Sequence, residues 1–171
     1  MKTVLEREAG PGDQGIAMHA PDRTTHPTIE QIATVLGGAA LRQRITSADH
    51  FAQLVRRGLP VRTIHRVARL VGRSQAERHQ VVTVVAPSAI LNRRARHLQP
   101  LSVEGSRRIV RIARLVALAE MVLGSHDEAV AFLFRPHALL GSRVPIDSAR
   151  TERETRSVES LLRRLEWRLP E

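Results

Sequence analysis

The chain has no cysteine and no tyrosine, and only one tryptophan and three phenylalanines in 171 residues. The first absence removes disulfides, thiolate nucleophiles and cysteine zinc sites together. Aromatics make up 2% against 42% apolar residues overall, so a core has to be built from Leu, Val, Ile and Ala. No apolar run approaches the roughly 20 residues that cross a bilayer. The N-terminus carries Glu6 and Glu8 and lacks the apolar stretch of a secretory signal. A cytoplasmic protein without membrane contact is expected. The eight histidines fall at no H-x-H, H-x-x-H or H-E-x-x-H spacing, so no metal site is expected. Gly10, Gly12 and Gly15 fit G-x-G-x-x-G by letter, but they follow no strand, enclose Pro11 and open no helix. Glu152 and Glu154 fall in a first helical turn, where acids complement the helix dipole. No Ser/His/Asp grouping is recognisable. The chain reads as a non-enzyme with no catalytic residues and no cofactor.

What is abundant is arginine, and its placement is uneven. Residues 1–40 hold three basic and five acidic groups, and residues 115–171 hold eight Arg against nine acids. Residues 41–114 hold sixteen Arg against Asp49, Glu77 and Glu104, so the whole excess behind the net charge of +10 lies in the middle. A basic block of that density is the footprint of a nucleic-acid binder. The plainer reading is an Arg-rich proteome, since Lys2 is the one lysine; that bias alone would not leave the last third balanced.

The length allows one domain or two small helical lobes with a tail. Residues 1–27 contain GPGDQG, APD and THP with little periodicity and read as a flexible arm. Helix-start signals then recur. Thr28 with Gln31, Ser74 with Glu77, Ser125 with Glu128 and Thr151 with Glu154 all have capping-box spacing. Apolar stripes at helical period come after them. Phe51, Leu54 and Val55 precede a Gly58-Leu59-Pro60 break; Val61, Ile64, Ala68 and Val71 run to Gly72. Ile109, Ile112, Ala113, Val116, Ala119 and Val122 run to Gly124, and Val158, Leu161, Leu162, Leu165 and Leu169 form the last stripe. The β-branched run at residues 81–85 has no pairing partner nearby and is assigned to a helix end and turn. The fold class is all-α, a helical bundle.

Within the basic block, a helix from Ser74 to about Val82, a turn over residues 83–86 and a second helix over residues 87–97 form a helix-turn-helix. Pro87 suits a first helical turn, and Ile90 and Leu91 are available for the core. Arg can fork onto guanine and Asn onto adenine, while surplus Arg neutralises phosphates. Ser88, Asn92, Arg93, Arg94 and Arg96 are therefore the candidate DNA-binding residues. The alternative is a scaffold that only positions the C-terminal third of the chain.

That C-terminal third carries the more specific pattern. Leu101, Ser102, Glu104, Ser106, Arg108 and Arg111 fit L-S-x-E-x-S-x-R-x-x-R. Ser102 is placed to cap a long helix whose exposed side would hold Arg108 and Arg111. Ala129, Phe132 and Leu133 form an apolar face, succeeded by Arg135-Pro136-His137, Leu140-Gly141, Val144-Pro145-Ile146 and Thr151-Glu152. This stretch resembles the toxin-binding domain of the Xre/MbcA/ParS antitoxins, with Phe132 where that family usually has Trp and His137 where it has Asn. The segment before it resembles the family's Xre-type helix-turn-helix. Leu91, Arg93 and Arg94 keep that pattern, and Val85, Pro87, Ala89 and Ile90 stand where the family has Gly, Ser, Arg and Thr. The resemblance implies a helix-turn-helix DNA-binding and dimerisation domain over residues 28–100 and a toxin-binding domain over residues 101–171. It also implies a RES-type toxin that consumes NAD as partner, operator DNA as a second, and a homo-oligomer, dimer or larger.

The tail has a physical reading of its own. Trp167 lies nine residues after Val158, which at 100° per residue puts it opposite the leucine stripe. A large aromatic off the core face beside an Arg has the composition of an interface hot spot; the alternative is that it folds back over its own domain. The resemblance implies that this segment enters the toxin's NAD pocket. Arg135, Leu165, Glu166, Trp167, Arg168, Leu169, Pro170 and Glu171 are the candidate toxin-binding residues. The second functional reading, from a different class, is a stand-alone DNA-binding regulator whose C-terminal domain serves oligomerisation.

Overall fold

The computed structural model describes residues 26–45 and 47–166. Among the described residues every regular element is helical, in keeping with the all-α expectation. The order is α1 (Ile29–Arg44), α2 (Ala48–Arg57), α3 (Arg62–Val71), α4 (Gln75–Val85), α5 (Ser88–Arg96), α6 (Val103–Leu123), α7 (His126–Phe134) and α8 (Glu152–Glu166). Two 3₁₀ segments, Ala138–Leu140 and Pro145–Arg150, lie between α7 and α8. No described helix is long and apolar enough to cross a membrane.

The spine is α6. Ile109, Ile112, Ala113, Leu115, Val116, Ala117, Leu118, Ala119 and Val122 are all buried. They cover nearly the whole circumference of its second half, as befits a helix wrapped by others. Around it pack Ile32, Val35 and Leu36 of α1, Ile64, Val67 and Val71 of α3, Val81, Val84 and Val85 of α4, Leu133 of α7 and Val158 and Leu162 of α8. The three phenylalanines are only half-buried, so the core is aliphatic, as the composition requires.

All four predicted N-cap hydroxyls accept from a backbone N–H of the first turn, and two of the four sites close into full capping boxes. Thr28 and Gln31 exchange hydrogen bonds, and Ser74 and Glu77 do the same at α4. Ser125 Oγ accepts from Glu128 N–H, and Thr151 Oγ1 accepts from Glu154 N–H. Each satisfies backbone donors that a helix start leaves open.

The L-S-x-E-x-S-x-R-x-x-R stretch proves to be a fastening. Leu59 N–H donates to the buried Ser106 Oγ (2.9 Å), and Leu59 C=O accepts from Leu101 N–H (2.8 Å). The α2–α3 turn is thereby pinned to the start of α6. Gly58 has φ 93°, and a Cβ there would stand 2.3 Å from Leu101 O, so this close approach requires glycine.

Arg111 corrects one expectation. Instead of lying on the exposed side of α6, it is 6% exposed. Its Nε donates to Ala149 O (2.8 Å), and one Nη donates to Arg150 O (2.9 Å) and Glu104 Oε1 (2.8 Å). It caps the carbonyl end of the second 3₁₀ segment, which a polarity pattern along α6 cannot reveal. Burial pushes the Glu104 carboxyl up, but the hydrogen bonds and charges of Arg111 and Arg108 outweigh it and hold Glu104 below its ordinary value. Arg108 remains half-exposed beside Glu104.

Candidate functional site

The helix-turn-helix region forms with a tighter joint than the sequence suggested. Helix α4 runs on to Val85, because Val81, Val84 and Val85 all face the core. Burial overrides the β-branched preference against helix. The break is confined to Ala86 and Pro87, and Pro87 is the N-cap of α5 (ψ 137°) rather than a first-turn residue.

On α5 only Leu91 is buried. Ile90, expected in the core, is 41% exposed, because the helix rests on a single side. Asn92, Arg93 and Arg96, together with Ala89, are exposed and occupy one outward arc of about 100°. The other two candidates differ: Ser88 is half-buried at the helix start, and Arg94 is half-buried with its Nη1 donating to Pro100 O (2.7 Å). The five residues therefore divide into a triad that faces out and two that are half-buried, of which Arg94 is tied to Pro100. Helix α5 presents an amide and two guanidiniums with no carboxylate among its residues.

At the C-terminal end, Arg135 is exposed and terminates α7. Leu165 and Glu166 close α8 and are half-buried, so Arg135 stands on a different element from them. Trp167, Arg168, Leu169, Pro170 and Glu171 lie outside the described residues. Phe132 and His137, both departures from the toxin-binding pattern, touch each other, their rings 5.8 Å apart at 57°. His137 Nδ1 accepts from Leu139 N–H, the hydrogen bond an Asn side-chain oxygen can make at such a turn. Gly141 then takes φ 66°. Beside this turn Leu139 is 70% exposed.

The two ends are joined by polar ties that the sequence did not signal. Arg150 Nη1 donates to Thr83 O, and Gln80 Nε2 donates to Asp147 Oδ2 (3.0 Å). These link α4 to the second 3₁₀ segment. Arg114 pairs with both Glu152 and Glu159 of α8. Burial raises the Glu152 carboxyl, but the hydrogen bond and charge of Arg114, with Arg111 and Arg156, hold it low.

His126 ties α7 to two other helices. Its Nδ1 lies 2.6 Å from Glu120 Oε1 and its Nε2 3.0 Å from Leu70 O. Both partners accept, so only the doubly protonated ring satisfies them together. The Glu120 hydrogen bond raises the His126 pKa above its ordinary 6.5, against partial burial and with help from the Leu70 carbonyl, Glu120 and Asp127. A folded-state value above the unfolded one means stability is fully present below about pH 6.5 and lost as pH rises through the folded value. The urea midpoint should therefore fall as pH is raised from 6 into the range above 7. In His126→Gln that fall should be reduced; the ring is partly exposed, so the effect is modest. An unchanged slope in the variant would remove His126 as its source.

Two family descriptions match the chain in consecutive stretches. The Antitoxin Xre-like helix-turn-helix domain matches residues 50–114, from α2 into α6. The Antitoxin Xre/MbcA/ParS C-terminal toxin-binding domain matches residues 118–168, from α6 through α8. Among curated proteins, Antitoxin Xre of Pseudomonas putida is 33% identical over 86 residues, which is 50% of this chain and 52% of that one. The chain thus spans about half the length of the curated relative it matches. With an Xre-like helix-turn-helix stretch leading into a toxin-binding stretch, the chain is similar to the Xre/MbcA/ParS antitoxins in both parts and in their order.

Proposed function

We propose that this chain is the antitoxin of a type II toxin–antitoxin pair, that it silences a RES-type, NAD-consuming toxin by occluding its active site, and that it represses its own operon. The observation that carries this reading is the toxin-binding match over residues 118–168, seated on the same spine as an Xre-like helix-turn-helix. In this division of labour residues 1–27 are an arm, residues 28–100 bind operator DNA and dimerise, and residues 101–171 bind toxin. Asn92, Arg93 and Arg96 read and hold DNA, with Arg94 setting the helix through Pro100 and Ser88 at its start. Arg135 and residues 165–171 contact the toxin, with Trp167 as the anchor. The protein acts in the cytoplasm as a dimer or larger assembly and performs no chemistry itself.

Growth tests this directly. The reading frame beside this one, expressed alone, should arrest cells and deplete NAD, and co-expression of this chain should restore both. Arrest that persists in the presence of the folded chain would refute the antitoxin role. For DNA, Asn92→Ala with Arg93→Ala should cost roughly 1–3 kcal/mol per lost base contact. The loss should appear in mobility shifts as reduced preference for the upstream promoter over unrelated DNA. Arg94 is left in place because its bond to Pro100 would confound the result. An unchanged promoter preference would remove α5 as the reader.

A further inference from the structure

The arginines of α3 have no part in the roles assigned so far. Arg62, His65, Arg66 and Arg69 are all exposed and span an arc of about 100° on the helix. Arg66 turns toward α1, where its guanidinium fills the space beside Gly38. The other three face two grooves that meet at His65. One, of about 600 Å³, lies between α3 and α4 and is bordered by Arg69, Arg78 and His79. The second, of about 520 Å³, lies between the start of α3 and the end of α5, bordered by Arg62 and Ala95. No carboxylate lines either groove. Nearby Glu77 is occupied with the backbone N–H groups of Arg73 and Ser74.

We propose that this face of α3 binds the phosphate backbone of duplex DNA alongside the contact made by α5. The proposal rests on the reading of α5 as a DNA-binding helix and adds a second contact to it. Three features support it. Arg62 and Arg69 are about 10 Å apart along the helix and project from the same side, so each can reach a different phosphate. Between them the walls are small and apolar, with Ala68, Ala76 and Val82 in one groove and Ala95 and Leu98 in the other. A sugar–phosphate backbone suits such a surface, because sugar carbons pack on the walls while phosphates meet the cations. The second groove is also shared with α5 itself, so a duplex on the Asn92–Arg93–Arg96 face continues toward Arg62. Phosphate contacts of this kind set orientation and carry no sequence information.

The test uses the full chain with Arg62→Gln and Arg69→Gln together. Both positions are exposed, so the fold has no reason to fail; circular dichroism checks that. The control is Arg153→Gln with Arg164→Gln, which removes the same charge from exposed positions of α8. Binding to the promoter duplex and to a scrambled duplex is measured from 50 to 250 mM salt. The α3 variant should lose on the order of tenfold affinity for both duplexes, with the salt slope shallower by about two, one for each phosphate contact. The control should stay close to wild type. Wild-type behaviour of the α3 variant, or an equal loss in the control, overturns the proposal, while the α5 reading stands if Asn92→Ala with Arg93→Ala still loses promoter preference. A loss confined to the promoter duplex also overturns it, by making α3 a base reader. A wild-type chain that binds neither duplex at 50 mM salt defeats both readings.

Discussion

Deletion of residues 165–171 should leave a folded, DNA-competent chain that no longer rescues cells from its toxin. The fold should survive because Val158, Leu161 and Leu162 hold α8 to the core, whereas Leu165 is half-buried and lies at the helix end. The proposed loss of function has a different origin. An anchor that fills a pocket on a partner contributes far more than the rim around it, and the tail supplies the chain's only Trp. Trp167→Ala alone should cost about 2 kcal/mol or more of toxin affinity, roughly a thirtyfold weaker complex. Growth rescue paired with a toxin pull-down measures both effects. Full rescue by the truncated chain would exclude a plug and move inhibition to the body of the domain.

Arg111→Met should be strongly destabilising. The change keeps most of the apolar stem but strips donors from Ala149 O and Arg150 O and a partner from Glu104. Acceptors left unpaired in a buried setting cost more than the mean worth of a hydrogen bond. Glu104 is about half exposed and can regain water, so the total should be roughly 2–4 kcal/mol, on the order of 5–10 °C in Tm. Lysine cannot reproduce three bonds from a planar fork, so Arg111→Lys should recover only part of the loss. Because the second 3₁₀ segment leads directly into α8, toxin affinity should fall along with stability. A chain carrying Arg111→Met with wild-type Tm would mean that the segment is held by apolar packing alone.

The helix boundaries were legible because caps and breakers are local. Thr28, Ser74, Ser125 and Thr151 each announce a helix within three residues of themselves, and Gly124 ends α6 where the apolar stripe stops. The β-branched run was harder. Residues 81–85 read as a helix end and turn, but α6 offers an apolar face that makes one more turn of α4 favourable. Arg111 was illegible for the opposite reason. Its partners lie 38 and 39 residues away, and a lone Arg on a helix resembles a solvated one until the carbonyls it serves are in place. The α5 triad was only partly legible. The basic run singled out the helix, but which arginine faces outward depends on Leu91 being its single buried residue. The stripe on α3 did leave a signal, arginines at 62, 66 and 69 with i, i+4 and i+7 spacing, but the same spacing marks any solvated helix face until the grooves beside it are in place.

The central claim is that this chain inactivates an NAD-consuming toxin by binding it. Titration of the purified full-length chain into the purified neighbouring gene product, with NAD loss monitored over time, tests it most directly. NAD consumption should fall to background at a fixed molar ratio, and the chain lacking residues 165–171 should leave it running. Undiminished NAD loss in the presence of excess folded chain, or a neighbouring protein that consumes no NAD, would contradict the claim.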